Sequence, residues 1–182
     1  MTLRKKKTLL MITAILVLAL SAVSCSDSTG TVKGTLTWQY NEFIGTKGDV
    51  GAKVVLIPAT DEFSDKDTAD NSTFAVLLSQ TPQGKNGIYT TKADGYGHYE
   101  LSGIPARSYY LVFVSNNATG YLDKEKICLT ATTLLKPLFT ADEWESLERH
   151  LLLNKHEVRT VDVEKGKTIT ESHDFGYTAM MK

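Results

Sequence analysis

Four histidines, two cysteines and a run of acidic residues are the side chains of this 182-residue chain best suited to chemistry. His98, His150, His156 and His173 form no H-E-x-x-H pair, and no Cys/His group has the spacing of a zinc site, so neither a metal nor another cofactor is implied. Asp61, Glu62, Asp65, Asp67 and Asp70 carry the hard oxygen ligands that calcium takes, but not in the D-x-D-x-D-G order; a solvated polar loop is the expectation. A G-x-S-x-G nucleophile elbow is absent. Gly95-Tyr96-Gly97 lies in a turn between two strand-like runs, not at a strand-to-helix phosphate turn, which argues against nucleotide binding. No residue is therefore assigned as catalytic, and the chain is expected not to be an enzyme. Two residues remain for ligand contact. Tyr96, at the tip of the Asp94-Gly95 turn, would hold a ring face to solvent on which a sugar could stack. His98, alternating with Tyr99, would face solvent beside Glu100. Alternation sends most of the other aromatics, such as Trp38, Tyr109 and Tyr110, to the core.

The elements that must position these residues read mostly as strands. From Thr31, the residues Val32, Leu36, Trp38 and Tyr40 share one face, and Lys33, Thr35, Thr37 and Gln39 the other, the period of a half-buried strand. Lys53–Pro58 is a second strand after the turn-rich Gly45–Lys53, and Phe74–Leu78 is a further apolar run beyond a polar loop at 59–73. Ile88–Lys92 and His98–Ser102 flank Asp94-Gly95 as a hairpin would, because glycine reaches positive φ without steric cost. Gly103–Arg107 turns again, and Tyr109–Ser115 is nearly all apolar, as a central sandwich strand would be. A single helix is predicted at 141–153. Thr140 and Glu143 have capping-box spacing, Phe139 and Trp144 stand at the staple positions, and Trp144, Leu147 and Leu151 share a face. Strands at Glu157–Val163 and Thr168–Phe175 close the pattern. The expectation is an all-β, antiparallel β-sandwich, transthyretin-like or Ig-like, of about seven strands with one inserted α-helix near 141–153.

The ends of the chain speak to location. Arg4, Lys5, Lys6 and Lys7 precede an apolar run from Leu9 to Leu20 and then the small residues before Cys25, the layout of an export signal. The run is too short for a bilayer span of about 20 apolar residues. Ala22-Val23-Ser24-Cys25, followed by the polar SDSTG, resembles the lipobox of bacterial lipoproteins, with Ala22 where that family usually has Leu. The resemblance implies a signal peptide at 1–24 and diacylglycerol attachment at Cys25. It further implies palmitate-type acylation of the new amine, and a short tether to Gly30. Acyl chains hold a membrane because each buried CH₂ contributes about 0.8 kcal/mol. Ser26, rather than Asp, after the cysteine implies the outer membrane of a diderm bacterium. Loss of four basic residues and no acidic one takes the net charge from −1 to −5, and no basic patch points to nucleic acid. Cys128 then has no partner and reads as a small buried hydrophobe between Ile127 and Leu129.

GTVKGTLTW, DVGAKVVLIP, TTKADGYGHYELSGIPARSYYLVFVS and VDVEKGKTITESHDF together resemble the carboxypeptidase regulatory-like domains, which are small transthyretin-like (prealbumin-like) sandwiches. Gly51-Ala52-Lys53-Val54, Ala93-Asp94-Gly95, Gly103-Ile104-Pro105 with Tyr110, and Gly166 to Phe175 occupy the places of that family's motifs. The resemblance implies one sandwich domain over 31–178 with a helical insertion at 121–156. It also implies a non-catalytic role, since in the enzymes of that family the zinc and the catalytic acid belong to a separate peptidase domain. The functional expectation is a membrane-anchored surface or periplasmic module with a structural, adhesion or accessory role. The alternative is a glycan- or peptide-binding module of a nutrient-uptake system. The membrane and a protein or glycan are the partners implied.

Overall fold

A computed structural model describes residues 28–59, 87–120 and 129–178. The signal segment 1–24, Cys25, nearly all of the 59–73 loop with its acidic residues, the apolar run 74–78 and Cys128 lie outside the described residues. Nine strands, two α-helices and a 3₁₀ turn fall within them. In chain order these are β1 (Thr29–Asn41), β2 (Gly45–Gly48), β3 (Lys53–Pro58), β4 (Tyr89–Lys92), β5 (His98–Pro105) and β6 (Ser108–Thr119). Then come α1 (Leu129–Leu135), the 3₁₀ turn (Lys136–Leu138), α2 (Ala141–Leu153), β7 (Asn154–Asp162), β8 (Thr168–Thr170) and β9 (His173–Tyr177).

The architecture is a β-sandwich, as the alternation of β1 requires. The first sheet is centred on β1, which pairs antiparallel with β5 and β2 and parallel with β8 and β9. The second has the order β4-β3-β6-β7, all antiparallel. An entirely antiparallel sandwich is thus corrected to one with a mixed sheet. After β7 the chain crosses from the second sheet back to the first and runs beside β1 in the same direction.

Between the sheets lies one core, built from Val32 and Leu36 of β1, Leu101 and Ile104 of β5, Val54 and Leu56 of β3, and Leu111 and Phe113 of β6. The second sheet buries its other face as well. Val55, Ile57, Val112 and Val114 pack there against Ala131, Leu135, Trp144, Leu147 and Leu151 of the helices. Two buried faces explain why β3 and β6 are near-continuous apolar runs while β1 alternates. The helical insertion is therefore the lid of a second core layer. The capping box forms as read: Thr140 N–H donates to Glu143 Oε2 (3.0 Å), and the Glu143 N–H donates to Thr140 Oγ1 (3.5 Å). A single helix is corrected to two. Leu129–Leu135 carries three threonines and no acidic first turn, so local propensity hides it; burial of Ala131 and Leu135 fixes it. None of the described helices is long and apolar enough to cross a membrane.

Two turns lock the first sheet to the second. Asp49, after β2, is wholly buried. Its carboxylate accepts the Ser115 hydroxyl, the N–H groups of Asn116 (3.3 Å) and Asn117 (3.1 Å), and Asn117 Nδ2 (2.6 Å). These donors sit where β6 breaks register with β7 between Val114 and Thr119. At the second turn, the expected hairpin at Asp94-Gly95 is corrected. The turn forms, with Gly97 N–H donating to Asp94 O (3.0 Å), but β4 pairs with β3 and β5 with β1, so the chain changes sheets there. Gly97, at φ +85°, lies so close to the Leu36 carbonyl that a Cβ would sit 2.3 Å from it.

Three of the four histidines are held in the fold with their pKa values below the usual 6.5, chiefly by burial: His150 on α2, His156 on β7 and His173 on β9. His173 stands between the Phe113 and Phe175 rings, and its Nδ1 accepts from Arg159 Nη2 (3.1 Å), which a protonated ring could not do. The unfolded chain therefore binds more protons than the fold as pH drops below 6.5. The stabilisation is complete above that value and is lost as pH falls through the lower folded-state values. Thermal midpoints measured across this range should decline progressively from neutral toward pH 5; a flat profile would contradict the burial of these rings.

Candidate functional site

The outer face of the first sheet is left uncovered by the described helices, and the residues that alternate out of β1 form it. Strand register aligns them in rows. Thr170, Lys33 and Glu100 stand side by side across β8, β1 and β5, and Ser172, Thr35 and His98 form the next row. Adjacent strands are about 4.8 Å apart and same-face neighbours along a strand about 6.7 Å, so the two rows make a patch roughly 10 Å wide. With Lys92 and Asp94 from the chain-crossing turn, these residues line a groove of about 560 Å³.

The wall toward the turn is preorganised. Asp94 Oδ1 accepts the N–H groups of Tyr96 (2.8 Å) and His98 (2.9 Å), which together hold its carboxyl below the usual carboxylate range. His98 Nδ1 lies 3.8 Å from Asp94 Oδ2. Tyr96 stacks on His98 with ring centroids 6.2 Å apart and an interplanar angle of 30°, and is 78% exposed. A tyrosine this exposed and this well held offers a ready ring face. Gly48 is required beside it, since a Cβ there would meet the Tyr96 carbonyl at 2.3 Å.

The floor depends on Gly34. Tyr99, opposite Gly34 in register, passes its ring across the bare backbone and donates its hydroxyl to Glu171 O (2.7 Å). Burial raises the pKa of that hydroxyl and keeps it a donor. The strand predicted at Thr168–Phe175 is broken at this contact into β8 and β9, with Glu171 and Ser172 bent over Gly34. Ser172 Oγ then accepts the Thr35 N–H (3.0 Å).

The structure places the sequence-selected His98 in the lining of the groove and stacks the sequence-selected Tyr96 on it, outside that lining. The remaining histidines are scattered, and among the described residues no group of three or more His, Cys, Asp or Glu could hold a metal ion. Trp38 and Tyr40 form an edge-on pair on the distal half of β1, with Lys47 Nζ 4.2 Å from the Tyr40 ring centre. Phe43, in the next turn, is 97% exposed. Sequence reasoning placed Lys33 and Thr35 on the polar face of β1 but did not find Lys92, Glu100, Thr170 and Ser172 as groove residues. Thr170 and Ser172 lie 137 positions along the chain from their partners Lys33 and Thr35, and the pairing of β8 with β1 and the Ser172–Thr35 hydrogen bond bring them in.

No protein-family model matches the chain, and no curated protein matches it. Among solved structures it is similar to the minor pilin of Streptococcus agalactiae, at 16% identity, over 85% of this chain and 47% of that one, with a TM-score of 0.43. A protein of Pseudomonas aeruginosa, provisionally described as carbohydrate-binding, is similar at 14% identity over 84% and 94% of the two chains (TM-score 0.39). The major pilin subunit of Bacillus cereus is similar at 16% identity over 80% and 29% (TM-score 0.36). The chain spans about half the length of the first of these and under a third of the last.

Proposed function

We propose that this chain is a non-enzymatic binding module, held to a membrane through Cys25, that takes a glycan in the groove on its first sheet. The observation that carries the binding reading is the polar groove on the face that the described helices leave uncovered, with the exposed Tyr96 ring stacked on one of its lining residues, His98. The floor of the groove is β1, whose backbone is already hydrogen-bonded on both edges. Recognition on that floor runs through side chains and a ring face, as a sugar would use. The non-enzymatic reading rests on the sequence, which carries neither a G-x-S-x-G elbow nor the spacing of a metal site. The anchor reading rests on the lipobox-like Ala22–Cys25 and the polar tether behind it.

Full-length protein in detergent, applied to a glycan array, should bind. Tyr96→Ala should weaken that binding about tenfold, the loss of one stacking contact of some 1.4 kcal/mol. Unchanged binding by Tyr96→Ala overturns the site. In the same strain, labelled palmitate should enter the wild-type protein and not Cys25→Ser; equal labelling of both overturns the anchor.

A further inference from the structure

The charge lining the groove is unevenly engaged. Asp94 is spent on its own turn, accepting two N–H groups with His98 beside it. Lys33 stands directly opposite Glu100 in register, yet makes no ion pair with it or with any other described residue. Lys92 likewise has no ion pair among the described residues, and its cross-strand neighbour is a second lysine, Lys53. Like charges placed opposite one another on a sheet repel, and burial, joined by the field of Lys92, lowers the Lys53 pKa. The groove therefore holds two ammonium groups and one carboxylate, Glu100, that make no ion pair among the described residues, set among the hydroxyls of Thr35, Thr170 and Ser172.

We infer that the ligand is an acidic saccharide containing hexuronate residues. Its carboxylates meet Lys33 and Lys92, its hydroxyls meet the Thr/Ser rows and Glu100, and a sugar that extends past the lining residue His98 lays a ring face on Tyr96, which stacks on His98. This deepens the glycan-binding reading and rests on it. A carboxylate suits these lysines because an ammonium is a compact point charge that needs no planar partner. The hydroxyls and the ring distinguish a sugar acid from a bare polyanion.

The test uses full-length protein in detergent and calorimetric titration. The probes are oligogalacturonate, oligomannuronate, the methyl ester of the first, and oligoglutamate as an acidic peptide. At least one free hexuronate chain should bind, about tenfold more tightly than the methyl ester and more weakly as salt rises. Lys33→Gln and Lys92→Gln should each lower affinity about fivefold, as loss of an exposed charge contact would. Tyr96→Ala should lower it further. Equal binding of acid and ester, with both lysine variants silent, overturns the acidic ligand and leaves glycan binding standing. Oligoglutamate binding as tightly as the uronates overturns the saccharide. If no hexuronate chain binds while neutral glycans do, the inference fails alone; if no glycan binds, it fails with the reading beneath it.

Discussion

Asp49→Ala should lower the stability of the fold by about 3–5 kcal/mol, because each buried donor it leaves unsatisfied costs about 1–3 kcal/mol. For a domain of this size that is a fall in thermal midpoint of roughly 6–20 °C. The side chain is fully buried, and the Ser115 hydroxyl, two backbone N–H groups and the Asn117 amide all donate to it. Alanine would leave these donors in the protein interior with nothing to meet. Asp49→Asn is the sharper variant. Its oxygen can keep the Asn116 and Asn117 donors, but its NH₂ would face a Ser115 Oγ that already accepts from Asn117 N (3.2 Å) and Ala118 N (2.7 Å). An intermediate loss of about 1–2 kcal/mol follows. Urea unfolding of the three proteins checks the order; an Asp49→Ala midpoint equal to wild type would refute the network's role. The site should feel the change as well. Asp49 N–H donates to the carbonyl of Leu36 (2.8 Å), whose own N–H donates to Gly97 O (2.8 Å), so one residue of β1 ties the Asp49 turn to the turn that carries Tyr96.

Such ties mark the limit of what the chain reveals by itself. Periodicity found β1, β3, β6 and α2 because each is patterned by its own burial: one face for β1, both for β3 and β6, one stripe for α2. Gly45–Gly48 carries no such pattern. It is a strand because the overhang of β1 offers it a ladder and Tyr40 a seat for Lys47. Asp94-Gly95 was legible as a turn, since Asx chemistry is local. That the turn changes sheets was not legible, since Leu36 and Gly48 decide it from afar. The groove divides the same way. His98, with Tyr96 stacked on it, announces itself through local alternation, whereas Thr170 and Ser172 arrive from the far end of the chain by the pairing of β8 with β1 and the hydrogen bond to Thr35.

The layering also says where function has room. The apolar stripe of helices α1 and α2 is spent on the second sheet. The first sheet, rich in Thr, Ser and charge on its outer face, would gain nothing from a similar cover, because burying those groups without partners costs free energy.

The second large effect is expected at the floor of that face. Gly34→Ala should cost about 3 kcal/mol or more, at the upper end of overpacking penalties. The new Cβ would lie 1.8 Å from the Glu171 carbonyl oxygen and 3.0 Å from the Tyr99 ring. Backbone cannot turn aside as a side chain can, so the corner between β8 and β9 must lift and the Tyr99 hydrogen bond to it must stretch or break. Conformational preference plays no part, because Gly34 lies in ordinary strand backbone outside the positive-φ set. Gly95→Ala is the control. It sits in the neighbouring turn with nothing within 4 Å of its Cβ position, and its stability should stay within about 0.5 kcal/mol of wild type. The lifted corner carries Thr170 and Ser172, so Gly34→Ala should also weaken ligand binding under conditions where the variant remains folded. Equal unfolding midpoints for Gly34→Ala and Gly95→Ala would mean that Glu171 does not press on β1, and that the groove owes its floor to something other than the bare strand.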